Sequence, residues 1–212
     1  MADLAINPPH DAAPAHDEHA TSTGLPSTKL AMWVFLASEC MLFGALISTY
    51  VLYRGASDVG PYPEDVFDIP YTSVSSFILL ASSLTMVMAL VAAQKRDVVR
   101  MRLWLLTTAL LGLTFVAGQV YEFTAFYDEG LSISTNLFGT TFYVLTGFHG
   151  VHVTVGILML LSLVGFSAAD RLPDDAAFPV EMVGLYWHFV DIVWIVIFTV
   201  VYLIPTPAPA PV

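Results

Sequence analysis

The chain contains the sequence YWHFVDIVW at residues 186–194, inside an apolar run from Val183 to Ile204 that is long enough to cross a bilayer. His188 and Asp191 lie three residues apart there, so a helix places them on one face. Ionisable side chains at membrane depth are costly unless they are paired or buried against protein. The run therefore predicts either a helix outside the membrane or a bundle whose other helices accommodate His188 and Asp191.

The composition favours the membrane alternative. Of the 212 residues, 57% are hydrophobic and 12% are charged, whereas soluble domains usually carry about 25% charged residues. The net charge is −11, and most of the acids lie outside the apolar runs. The single cysteine, Cys40, has no partner for an internal disulfide. No nucleic-acid motif or basic stripe is present, so we expect no nucleic-acid partner.

Five apolar runs follow one another, and each can cross about 30 Å of hydrocarbon at about 1.5 Å per residue. They predict an all-α integral membrane bundle of five transmembrane helices within residues 29–204. The predicted helices are residues 32–53, 72–93, 103–121, 138–164 and 183–204. Residues 1–28 lack the basic start and apolar core of a signal peptide and are predicted to be a disordered cytoplasmic tail. Residues 205–212 are a Pro/Ala-rich tail for which we expect an extended conformation.

When the five helices cross the membrane in alternating directions, most basic residues fall on one side of it, and this predicts the orientation of the chain. Arg54 alone falls on the opposite side. The positive-inside rule then predicts a cytoplasmic N-terminus and a C-terminus on the outer, periplasmic side. The six residues on the cytoplasmic side are Lys29, Lys95, Arg96, Arg100, Arg102 and Arg171.

Polar residues inside the runs are candidates for interhelix contacts. Hydrogen bonds between helices would explain four of them, which are Gln119, His149, His152 and Asp191. Glu39 in the first run is different, because a lone carboxyl in hydrocarbon must be protonated or paired. Glu39 is therefore a candidate for proton handling or contact with a lipid headgroup. Glu122 and Glu181 lie near the ends of runs, and we expect them to be solvated or to cap helices.

The same residues permit other kinds of site. The histidines at 149, 152 and 188 could supply three nitrogen ligands to a metal, with Asp191 or Glu39 adding an oxygen, and a haem would need only one or two of them. His188 and Asp191 could equally form a hydrogen-bonded pair that fixes the histidine tautomer. A small proton-coupled transporter could use Glu39, His188 and Asp191 as a relay, although the sequence has no inverted repeat. Spacing alone leaves these alternatives open.

Four motifs together resemble subunit III of the haem–copper terminal oxidases. They are YWHFVDIVW at 186–194, GFHGVHV at 147–153, SECMLF at 38–43 and GQVYEF at 118–123. The motifs occur in the order and with the spacing of that family, and the resemblance covers about residues 28–204. The chain is similar to the shorter, five-helix bacterial form. The quinol-oxidising branch is also five-helical, but the sequence TGFHG at residues 146–150 resembles the cytochrome c branch.

The resemblance implies a non-catalytic subunit of an aerobic respiratory cytochrome c oxidase, multi-pass in the bacterial inner membrane. Its partners would be subunit I, which it stabilises during oxygen reduction and proton translocation, subunit II, membrane lipids, and cytochrome c as donor to the complex. Haem and copper would belong to the partner subunits, so this chain would hold no metal and no catalytic residue. A quinol oxidase of the same superfamily is the alternative.

The resemblance also implies roles for individual side chains. Family members hold phospholipid in a cleft beside a buried glutamate, and this makes Glu39, Trp187 and His188 the candidates for the lipid cleft and for support of proton uptake. Since no metal is expected, His149 and His152 would be structural or lipid-contacting rather than ligands, together with His188 and Asp191.

Overall fold

A computed structural model describes residues 26–57, 60–61, 67–173 and 176–204 of the chain. Within these ranges the protein is all-α, and five helices are long and apolar enough to cross a membrane. This confirms the predicted five-helix membrane bundle. The tails at residues 1–25 and 205–212 lie outside the described residues. The helices are α1 (Ser27–Tyr53), α2 (Ile69–Gln94), α3 (Val98–Asp128), α4 (Leu137–Ala168) and α5 (Ala177–Phe198), and α5 continues as a π-helical turn, Thr199–Leu203.

Several helices extend beyond the apolar runs that predicted them. The third run covered residues 103–121, whereas α3 has 31 residues. The extra turns at the start of these helices begin at polar capping residues. In α3, the Asp97 side chain accepts a hydrogen bond from the backbone N–H of Arg100. Asp68 and Asn136 cap α2 and α4 in the same way. An apolar run therefore marks the hydrocarbon-spanning part of a helix and underestimates its length.

The central helix is α5, which packs against α1, α2 and α4, while α3 packs against α2 and α4. Half of the most apolar 18-residue segment of α5 is buried inside the bundle, compared with 11% of the corresponding segment of α1. Helix α1 packs along α4 and α5 at the edge of the bundle. Most of its apolar surface is therefore left for lipid or for another protein chain.

Trp187 joins α5 to three other helices at the centre of the bundle. Its side chain has no exposed surface, and its ring fills a notch between α3 and α4. The notch exists because Gly112 and Gly156 have no side chains: an added Cβ would lie 2.5 Å and 2.8 Å from ring atoms of Trp187. The indole N–H donates to Ser82 Oγ of α2 at 2.9 Å. Trp194 makes the same kind of bond to Ser76, also at 2.9 Å.

Candidate functional site

Glu39 of α1 and His152 of α4 face each other inside the bundle. Glu39 Oε2 lies 3.1 Å from His152 Nε2, and each side chain is 15% exposed. His152 Nδ1 lies 2.8 Å from the carbonyl oxygen of Phe148. Because a carbonyl only accepts, Nδ1 must carry a proton and donate it, which leaves Nε2 to meet the carboxyl group. His152 Nε2 and Glu39 Oε2 therefore share one proton, which is bonded to one of these atoms and donated to the other.

That shared proton gives the Glu39–His152 pair no net charge. The pair is either an imidazolium beside a carboxylate or a neutral imidazole beside a carboxylic acid, and a paired group is far less costly in the membrane than a lone ion. Two neighbouring aromatic residues hold it in place. Phe43 lies edge-on to His152 with ring centroids 5.0 Å apart, and the Tyr186 hydroxyl donates to the His152 carbonyl oxygen at 3.1 Å. Helices α1, α4 and α5 thus build this site together.

His149, one helical turn before His152, occupies a different environment. It has no exposed surface and stacks on Trp194, with centroids 4.9 Å apart and an interplanar angle of 26°. Phe115 packs edge-on to its ring at 6.0 Å. Within the described part of the chain, neither ring nitrogen of His149 has a hydrogen-bond partner. The residue therefore behaves as a buried aromatic ring in this arrangement.

The sequence-based pairing of His188 with Asp191 is wrong. His188 Nδ1 lies 2.6 Å from Ser83 Oγ of α2, while both oxygens of the Asp191 carboxyl lack a hydrogen-bond partner among the described residues. Positions i and i+3 share a helix face, but a neighbouring helix supplies the hydroxyl that His188 uses. The sequence offered a signal for Ser83, because α2 carries several hydroxyl residues between Tyr71 and Thr85. Those buried in the bundle are Thr72, Ser75, Ser76 and Ser82.

Gln119 connects α3 to α4. It is 6% exposed, and its side-chain amide donates to the Thr146 carbonyl oxygen at 2.9 Å. Its Oε1 atom lies beside Gly150, where an added Cβ would approach within 2.5 Å. The four-residue spacing of Thr146 and Gly150 therefore creates a recess on α4 that accepts a side chain from α3.

The expectation that Glu122 is solvated or a helix cap is wrong. Glu122 is 6% exposed, and its carboxyl accepts a hydrogen bond from the Thr72 hydroxyl of α2. The expectation failed because α3 continues past this residue to Asp128, which places Glu122 inside the helix. Glu181 forms an ion pair with Lys29 Nζ at 2.5 Å and so joins α5 to α1.

The three histidines do not assemble into one ligand set. His149 stacks on Trp194, His152 meets Glu39, and His188 meets Ser83. Over the residues that the structure describes, no group of three His, Cys, Asp or Glu side chains is placed to hold a metal ion. Glu39 and His188 also have different partners, on α4 and α2, and Trp187 lies in the core instead of on the surface.

The profile of the family described as "Cytochrome c oxidase subunit III" matches residues 13–205. The chain belongs to this family. It is 39% identical to cytochrome c oxidase subunit 3 of Bacillus sp. (strain PS3) over 89% of this chain and 91% of the relative. It is also 36% identical to cytochrome bo(3) ubiquinol oxidase subunit 3 of Pseudomonas aeruginosa, with 92% of each chain covered.

Membership in the subunit III family identifies the chain as a haem–copper oxidase subunit III and a multi-pass membrane protein. Its relatives are subunits of oxidase complexes, so association with other oxidase subunits follows. The transporter considered from the sequence has no support from the family or from these relatives. Glu39, His152, His188 and Asp191 are therefore membrane-buried groups of an oxidase subunit.

Proposed function

We propose that this subunit III is a non-catalytic component of an aerobic respiratory oxidase in a bacterial inner membrane. It stabilises subunit I, with subunit II in the same complex, while oxygen is reduced and protons are translocated. The match of the family profile over residues 13–205 is the observation that carries this proposal. Haem and copper would then belong to the partner subunits, and the separate partners of His149, His152 and His188 support that assignment.

We propose cytochrome c as the donor to the complex. The sequence of residues 146–150, which resembles the cytochrome c branch of the family, supports this choice. A quinol is the second candidate, because a probable quinol oxidase subunit 3 of Staphylococcus saprophyticus is 38% identical, close to the 39% of the Bacillus protein. Rates of oxygen consumption by the purified complex with reduced cytochrome c and with a quinol would separate the two candidates.

We propose that a phospholipid acyl chain occupies a groove between α1 and α2. Both helices pack on α5, and α5 presents an exposed apolar stripe between them that includes Ile192 and Val196, 60% and 42% exposed. His188 lies in register with this stripe and is half-buried. Glu39 is the proposed contact of this lipid on α1, and because it lies near the middle of that helix it would approach the acyl chain instead of the headgroup. Trp187 would act on the lipid only indirectly, because its ring is enclosed by protein.

Purification through this chain tests the proposed function. The membrane is solubilised in mild detergent, the complex is isolated by a tag on this subunit, and a visible spectrum is recorded before and after the partners are stripped. We expect haem to co-purify and then to leave with a larger subunit. Haem or metal retained by this chain alone, or no haem in the intact complex, would contradict the proposal. An untagged membrane carried through the same steps is the control.

A further inference from the structure

Asp191 is a buried carboxyl group that makes no hydrogen bond within the described part of the chain. The residue is 3% exposed, lies in the middle of α5, and neither oxygen has a hydrogen bond among the described residues. An ionised carboxylate in such a place, with no hydrogen bond and no counter-charge among the described residues, is costly and can form only transiently. Asp191 therefore holds a proton and is a neutral acid in this arrangement.

Ser83 of α2 is the polar side chain beside this acid. Its hydroxyl already lies 2.6 Å from His188 Nδ1. A serine hydroxyl has one donor and two acceptor positions, so it can donate to the imidazole while it accepts from the carboxylic acid. The Asp191 carboxyl lies within the reach of that hydroxyl. Ser83 thus stands between Asp191 and His188.

His188 connects this interior pair with the surface of the bundle. It is half-buried in register with the exposed stripe of α5, whereas Asp191 is enclosed. The other ionisable groups nearby have different partners: Glu39 bonds His152, and His149 stacks on Trp194. On α2, the Ser83 hydroxyl lies beside Asp191. The route from Asp191 to the surface therefore runs through Ser83 and His188.

We propose that Asp191, Ser83 and His188 form a proton relay in which Asp191 stores one proton. In the exchange step, the acid proton of Asp191 passes to Ser83 Oγ while the Ser83 hydroxyl proton passes to His188 Nδ1. The products are a carboxylate, an unchanged serine and an imidazolium, which then releases its Nε2 proton into the groove between α1 and α2. Return of a proton by the reverse steps restores the acid. This site is separate from the Glu39–His152 pair and does not depend on which donor the oxidase uses.

Infrared difference spectroscopy of the intact complex tests the relay. A protonated carboxylic acid has a carbonyl stretching band that shifts when its proton is replaced by deuterium. We expect Asp191→Asn to remove one such band, and Ser83→Ala to keep the band but slow its shift in deuterated buffer by about tenfold or more. Ser73→Ala is the matched control, because Ser73 is exposed on the same helix and bonds the Ile69 carbonyl of that helix. Its exchange rate should equal that of the unmodified chain.

A second variant keeps the proposal testable if Ser83→Ala fails to assemble. His188→Gln retains a hydrogen-bonding side chain but removes the group that releases the proton, so it should slow exchange to a similar extent. A purely structural bond between Ser83 and His188 would leave exchange unchanged in whichever variant assembles, and this would overturn the relay. Absence of any acid band that depends on Asp191 would overturn proton storage itself.

Discussion

At the scale of single residues, the fit of Trp187 depends on two missing side chains. Gly112→Ala would put a methyl group 2.5 Å from the indole ring, and the fully buried ring has no free space to move into. We expect this overpacking to cost about 1–3 kcal/mol and to lower the temperature at which the purified subunit denatures in detergent. Gly44→Ala is the control, since a Cβ there meets nothing within 4 Å. Equal denaturation temperatures for the two variants would contradict the close fit.

Glu39 supplies a second prediction at this scale. Glu39→Gln can still donate to His152 Nε2, but an amide cannot release the shared proton. We expect normal assembly and an unchanged haem spectrum, with either slower proton uptake or earlier loss of turnover in continuous oxygen-consumption assays. Cys40→Ser is the matched control, because Cys40 is the exposed neighbour of Glu39. Loss of haem in the glutamine variant would show that Glu39 has a different role.

The hydrogen-bond partners of the polar residues were harder to predict than their location inside the membrane. The sequence indicated that Glu39, Gln119 and the histidines lie inside the membrane, because they interrupt long apolar runs. It could not assign Ser83 to His188 or Glu39 to His152, since these bonds depend on the rotation of one helix relative to another. The last bond joins residues 113 positions apart. Sequence spacing relates residues of one helix, whereas these bonds are made between helices.

At the scale of elements, polar contacts help to orient α1, together with its buried residues Leu36, Phe43 and Tyr50. Glu181 pairs with Lys29 at its first turn, and His152 meets Glu39 near its middle. Directly after its last residue, Arg54 Nη1 donates to the Val200 carbonyl oxygen at 3.4 Å, in the π-helical turn that follows α5. Apolar side chains of α1 are soluble in lipid on every face, so these directional contacts define which face meets the bundle.

The ion pair between Lys29 and Glu181 can be tested by charge exchange. Lys29→Glu places two carboxylates together, and we expect the attachment of α1 to weaken by about 0.2–1 kcal/mol, because both groups are partly exposed. Adding Glu181→Lys should restore the pair in the opposite sense. The measurement is the denaturation temperature of the single and double variants in detergent. A double variant no more stable than the single one would argue against a direct interaction.

At the scale of the whole molecule, the five-helix architecture was predictable because a bilayer permits few alternatives. Each spanning segment must satisfy its backbone hydrogen bonds internally, so five long apolar runs imply five helices. Which helices are neighbours was not predictable, because these helices are apolar around most of their circumference. The central place of α5 follows instead from its two tryptophans, Trp187 and Trp194, whose indole N–H groups find serines on α2.

The orientation across the membrane is a further prediction at this scale. In a Cys40→Ser background, we expect Ser134→Cys in the α3–α4 connection to react with a membrane-impermeant thiol reagent in intact spheroplasts. Lys95→Cys at the end of α2 should react only after the membrane is opened. Both positions are exposed, so access to the residue itself is not limiting. The reverse labelling pattern would contradict the cytoplasmic N-terminus that the positive-inside rule predicts.

The contact between Glu39 and His152 also has a consequence for synthesis. Helix α1 leaves the ribosome first, but the partner of Glu39 follows 113 residues later. At about 5–20 residues per second, that delay is roughly 6 to 23 s. During this interval the carboxyl group must cross or wait in the membrane without its histidine, and Lys29 waits longer still, because Glu181 follows it by 152 residues. The helix with the least buried apolar surface is therefore also the one that spends the longest time in the bilayer before its partners exist.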